Sequence, residues 1–133
     1  MEPVAPQVGI VLVSHSARLA EGAADLAGQV SGGTVRVLAA GGTDDGELGT
    51  SADKVAEAVA GAEAGAGVLV LPDLGSAVLT VLAMLEDRQG PRVLLADAPF
   101  VEGAVAATVT AAAGADLKAV ATAAEEAWHA RKL

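Results

Sequence analysis

The chain has no cysteine, no tyrosine, one tryptophan, one phenylalanine and only two histidines in 133 residues. The missing cysteine excludes a disulfide framework and thiolate metal sites, and agrees with a reducing interior. With aromatics at 2% and hydrophobic residues at 53%, the core must be built from Val, Leu and Ala. Basic residues are scarce as well: eight Lys and Arg against 17 Asp and Glu give a formal charge of −9. That balance argues against nucleic acid, which calls for a basic footprint. It either solubilises the domain or favours basic protein partners.

Mean hydropathy is +0.50, yet no apolar run approaches the roughly 20 residues of a membrane span. Residues 8–13 make a short run, 78–85 is broken by Thr80, and the Ala-rich 103–115 carries Thr108 and Thr110. The opening MEPVAPQ has an acid and no basic segment, so no signal peptide and no membrane attachment are expected, and the location is expected to be cytoplasmic. GxxxxGK[ST] is missing, which excludes a P-loop, and GxGxxG is missing after the first strand.

What the chain does have is a βα rhythm. Strands are expected over 8–13, 35–39, 68–71 and 93–96. Helices are expected over 17–29, 52–62 (capped by Thr50 or Ser51), from Leu74-Gly75-Ser76 onward, over 100–113, and over 117–129. The first helix is expected to bury Leu19, Ala23, Leu26, Ala27 and Val30; the second Val55, Ala58 and Val59; the third Val78, Leu82 and Leu85. Gln89-Gly90-Pro91 reads as a turn and 41–46 as an irregular Gly/Asp loop. Four strand–helix repeats without a linker predict one domain over 1–133. Its fold class is α/β, doubly wound, with a mainly parallel sheet of four or slightly more strands and helices on both faces.

Ligand sites in such sheets lie beyond the carboxyl ends of the strands. The stretch VGIVLVSHSAR delivers His15 there, between Ser14 and Ser16. Imidazole in that position serves as nucleophile, base or metal ligand near neutral pH. If the first and third strands are neighbours, Asp73 faces His15, fixes its tautomer and stabilises the imidazolium formed on attack. Helix starts near Ser16 and near Gly75 and Ser76 offer backbone amides to an anion. Such a nitrogen beside two anion sites suits phosphoryl transfer. Each residue also has a structural reading: a hydrogen-bonded His15, an Asp73 that caps a helix, a mere turn at Gly41 and Gly42, a surface Arg18. His129, beside Arg131 and Lys132, reads as support for the end of the last helix.

Four blocks carry a resemblance: VGIVLVSHSARLAEG, VRVLAAGGTDDGELGTS, VLVLPDLGSAVLTV and LLADAPFVEGAVAATVTAAAGADL, together covering about residues 7–117. They resemble the phosphotransfer subunits of phosphoenolpyruvate-dependent dihydroxyacetone kinases, which share the mannose-type enzyme IIA fold of the bacterial phosphotransferase system (PTS). The resemblance implies that His15 carries a phosphoryl group taken from phosphohistidine on HPr. It implies that Asp73 orients His15 and that Ser16, Gly75 and Ser76 surround the phosphate. The group would then pass to ADP held on the nucleotide-binding kinase subunit, so the nucleotide and its Mg²⁺ belong to that partner, and no cofactor or metal is expected here. Gly42, Thr43 and Asp44 would line the site or meet a partner, as would Arg18. Relatives are commonly homodimers, and some carry HPr-like and enzyme I-like domains that are not expected on this chain. Pro72 departs from the family pattern but suits a strand end.

Three alternatives stand beside this reading, one of them a non-enzymatic regulatory or binding module. A sugar-transporting mannose-type enzyme IIA would use the same histidine and hand the phosphate to a IIB domain. A tetrapyrrole metal chelatase also ends its first strand in His, Ser and Arg, but wants a second metal ligand near the first, and no HxxE or HxxxH spacing exists here.

Overall fold

The computed structural model of the chain describes residues 5–86 and 92–133; the expected turn at 89–91 lies outside them. Elements follow in the order β1 (Gly9–Ser14), α1 (Ala17–Val30), β2 (Val37–Gly41), α2 (Ala52–Ala62), β3 (Val68–Pro72), α3 (Gly75–Glu86), β4 (Val93–Leu95), α4 (Phe100–Ala112) and α5 (Leu117–Glu126). A 3-10 turn over Ala127–His129 ends the last helix, where one continuous helix to His129 is expected from sequence.

The strands form one four-stranded sheet in the order β2-β1-β3-β4, and every pairing is parallel. This is the expected α/β class. β1 is central and buried at all six residues, which is why it is a continuous apolar run rather than an alternating one. Its alternate side chains feed two cores. Ile10 and Leu12 join Leu69, Leu71 and the small faces of α1, α4 and α5. Val11 and Val13 join Val68, Val70 and the inward faces of α2 and α3.

Alanine supplies most of the helix side of the first core and shares that of the second with Val55, Val59, Val81 and Met84, and helices approach the sheet closely. A Cβ on Gly9 would run into the Ala62 carbonyl oxygen. Two expected helix faces are corrected. In α1 the buried stripe is Ala20, Ala23 and Ala27, while Leu19, Leu26 and Val30 are about half exposed. In α3 it is Ala77, Val81 and Met84, with Leu82 exposed and Leu85 only packed at the margin. In α1 the small residues face the sheet and the larger aliphatics turn outward, whereas α3 also buries Val81 and Met84. The face expected on α2 is the observed one, extended by Ala62.

β2 lies two residues later than expected. β1 sets the register by pairing Ile10 with Val37 and Ser14 with Gly41, and Val35 is spent in the core ahead of the strand. β3 includes Pro72, which pairs with Val13. On the β4 side, Val68 N–H donates to the Arg92 carbonyl and Ala96 N–H to the Val70 carbonyl. By the alternation of a parallel ladder, residue 72 would donate next on that side, and proline has no N–H to give. β4 accordingly ends at Leu95, one residue short of the expected Ala96.

Candidate active site

In the order β2-β1-β3-β4, the chain leaves β1 toward one edge of the sheet and β3 leads toward the other. The crevice beyond the carboxyl ends of β1 and β3 is the topological switch point, where open α/β sheets place their ligands. His15 follows β1 and Asp73 follows β3, so the two meet there.

His15 Nδ1 lies 3.0 Å from Asp73 Oδ1, and Ser76 Oγ lies 2.6 Å from His15 Nε2. An ionised carboxylate only accepts, so Nδ1 carries the proton and donates it to Asp73. The Nε2 lone pair then accepts the Ser76 hydroxyl. Asp73 has three further donors. Oδ2 accepts the His15 backbone N–H at 3.1 Å and the Ser14 hydroxyl at 2.8 Å, while Oδ1 also accepts the Leu74 N–H at 2.7 Å. Burial pushes the Asp73 carboxyl upward, but the bonds from His15 N–H, Ser14, the His15 ring and Leu74 outweigh it and hold it below its usual range. The His15 side chain is 26% exposed and that of Asp73 9%. The ring is reachable from outside while its carboxylate is sealed behind it.

The surrounding backbone fixes this pair. Ser16 caps α1, its Oγ accepting the Leu19 N–H at 3.2 Å, and its own N–H goes to Ser14 Oγ at 3.0 Å. Among the described residues, the Gly75 and Ser76 N–H groups at the start of α3 take no partner. They are free for an anion beside Nε2. The glycine loop reaches the site through its main chain: Gly42 N–H donates to the Ser14 carbonyl at 3.1 Å and Gly49 N–H to the His15 carbonyl at 2.9 Å. Gly42 needs its φ of 73° to make that turn.

The remaining candidates are held elsewhere. Thr43 closes its own loop, its Oγ1 accepting the Glu47 N–H at 3.2 Å. Asp44 Oδ1 accepts the Ser51 hydroxyl at 2.8 Å, tying the loop to the cap of α2. Arg18 is exposed on the first turn of α1 with no acid in ion-pair reach among the described residues. His129 is exposed in the terminal turn.

Sequence reasoning places Ser14 at the polar strand end but gives it no role, and does not single out Gly49. Ser14 carries a signal, being the one polar residue to end an otherwise apolar buried strand. Gly49 carries none, since its contact depends on how the loop folds back. A cleft of about 470 Å³ adjoins the far side of Asp73, lined by Pro72, Leu74, Val78, Leu95, Asp97 and Trp128 among others. It opens where Pro72 ends the ladder to β4. Among the described residues no three His, Cys, Asp or Glu side chains are grouped so as to hold a metal ion, and no helix is long and apolar enough to cross a membrane.

A family model described as PTS system fructose IIA component matches residues 9–121. The chain belongs to that family. Within it, the relatives are of the DhaM type. The phosphoryl donor subunit DhaM of the PEP-dependent dihydroxyacetone kinase of Escherichia coli K12 is 44% identical over 119 residues, covering 85% of this chain and 25% of that protein. A DhaM phosphoryl donor subunit of PEP-dependent dihydroxyacetone kinase 2 from Listeria innocua is 38% identical, covering 77% of this chain and 84% of the relative. The DhaM phosphotransferase subunit of the PTS-dependent dihydroxyacetone kinase of Lactococcus lactis is 36% identical, covering 84% and 89%. The chain thus spans about a quarter of the E. coli relative and most of the Listeria and Lactococcus ones. The crystal structure of a protein of unknown function, EF1359, shares the fold with a TM-score of 0.77 at 31% identity, covering 90% of this chain and 94% of that one.

Proposed function

We propose that the chain is a phosphohistidine carrier that takes a phosphoryl group from HPr and passes it to ADP on the nucleotide-binding subunit of a dihydroxyacetone kinase. The observation that carries this reading is the polarity of His15: Nδ1 faces a sealed carboxylate and Nε2 faces outward beside free amides. The Nε2 lone pair attacks phosphorus, and the donor's N–P bond breaks with its electron pair returning to the donor imidazole. As positive charge develops on the His15 ring, Asp73 stabilises it through Nδ1–H without taking the proton. The Ser76 hydroxyl, which now donates to Nε2, turns to a phosphoryl oxygen, joined by the Gly75 and Ser76 amides. In the second transfer a β-phosphate oxygen of ADP attacks phosphorus, the N–P bond breaks, and Nε2 recovers its lone pair. Ser16 supports the pocket chiefly by capping α1 and Gly42 by its N–H to the Ser14 carbonyl, while Thr43, Asp44 and Arg18 are left to meet a partner.

The curated DhaM relatives support the kinase branch. The description of the family model as a fructose component favours a second reading, a IIA that serves a sugar transporter. Both use the same histidine and differ in the acceptor. The test is incubation with phosphoenolpyruvate, enzyme I and HPr, followed by intact-mass measurement in alkali. One phosphoryl addition is expected on the wild type and none on His15→Ala. Asp73→Asn should slow the transfer by roughly 10²–10⁴-fold. Adding the ADP-loaded kinase subunit should discharge the carrier, whereas discharge only to a IIB domain would select the transporter reading. An unmodified wild type would sink both.

A further inference from the structure

We propose that Ser14 is a positioning residue: by holding Asp73 it keeps the His15 proton on Nδ1 and so keeps Nε2 ready to accept a phosphoryl group. The second half of that statement rests on the carrier reading; the first does not. Ser14 is fully buried, one of two such polar residues among those described. A hydroxyl is costly to bury at the end of an apolar strand unless its bonds are made, and here they are. Its proton goes to Asp73 Oδ2 at 2.8 Å, and its oxygen accepts the Ser16 N–H at 3.0 Å.

The division of bonds on Asp73 gives the hydroxyl its effect. Oδ2 is held by Ser14 and the His15 N–H, which leaves Oδ1 aimed at the ring nitrogen. Of the donors to Asp73, only Ser14 and the imidazole itself are side chains. The Ser14 bond crosses from the end of β1 to the loop after β3, so it ties the carboxylate to the strand that carries His15. Without it the carboxylate loses a side-chain anchor, and the ring is freer to move its proton to Nε2, where it blocks attack.

The measurement is ¹⁵N NMR of histidine-labelled protein without any donor, with phosphorylation rates taken separately. In the wild type, His15 should be the Nδ1–H tautomer with Nε2 unprotonated. Ser14→Ala should raise the Nε2–H fraction and slow phosphorylation roughly 10- to 100-fold, the range typical of groups that orient a working histidine through a second residue, with KM for the donor unchanged. Ser14→Ala also frees the Ser16 N–H, so an Asp73→Ala background separates the two consequences: there the serine substitution should change the rate less than about twofold. Ser14→Cys, near in size but a weak donor, should show the same tautomer shift and serves if the alanine variant does not fold. A tautomer unchanged in the folded variants overturns the proposal, and so does an equal slowing with and without Asp73. If the wild type takes no phosphoryl group, the carrier reading falls and the tautomer measurement still decides the role of Ser14.

Discussion

Asp73 accepts four hydrogen bonds, from the Ser14 hydroxyl, the His15 backbone and ring, and the Leu74 N–H. These outweigh its burial and lower its pKa in the folded state. The unfolded chain, with a carboxyl near 3.9, therefore binds the proton more readily than the folded one. The stabilisation is fully present above about pH 4 and is lost as pH falls through the depressed folded value. Urea unfolding of the wild type and Asp73→Asn from pH 7 to pH 3 should show this. The wild type should be the more stable at neutral pH, by about 1–3 kcal/mol for bonds to a charged group, and the difference should shrink on the acid side. A difference constant with pH would show that the carboxylate charge adds nothing to folding.

At the scale of the element, the order and kind of every strand and helix were legible because the βα periodicity is strong and Gly and Pro mark the ends. The inward faces of α1 and α3 were less so. α3 reads GSAVLTVLAMLE, apolar nearly all round, so its period selects no single stripe, and the face turned to the sheet, Ala77, Val81 and Met84, shows only in the packing. Val81→Ala should then cost roughly 1–3 kcal/mol, while Leu82→Ala, 45% exposed, should change unfolding by less than about 0.5 kcal/mol. The reverse ranking would restore the face expected from sequence. His15 and Asp73 were legible because two strands deliver them to one edge; Ser14 was not, because a serine says nothing of its partner until the register is known. Gly41 joins the two levels. A Cβ there would meet the Ser16 oxygen and the Ala17 Cα at 2.7 Å, so Gly41→Ala must push the start of α1 and with it the residue after β1. Both lower stability, by about 1–3 kcal/mol, and slower phosphorylation are expected. Loss of stability alone would show that the turn holding His15 does not depend on that contact.

For the whole molecule, the excess of acid is the unbalanced quantity. Seventeen Asp and Glu face eight Lys and Arg, and among the described residues a single acid pairs with a permanent cation, Glu102 with Lys132 on an exposed surface. Exposed pairs of that kind contribute little, so the compact state carries a net self-repulsion that the expanded chain relieves. Two cores built mainly of Val and Ala on either side of one sheet must hold against it. Salt shortens the reach of that repulsion from about 30 Å at 0.01 M to a few ångströms near 1 M. Tm should therefore rise with sodium chloride, by a few degrees for each kcal/mol of repulsion removed in a domain of this size. Chloride is the salt to use, since sulfate also strengthens apolar burial and would confuse the two effects. The Asp73 carboxylate, only 9% exposed, should contribute little to that trend, because charges largely withdrawn from solvent are screened less than exposed ones. The rise should persist unchanged in Asp73→Asn. A Tm that falls with salt would mean that attractive surface pairs outweigh the repulsion, and that the acids are arranged against the few bases more closely than their numbers suggest.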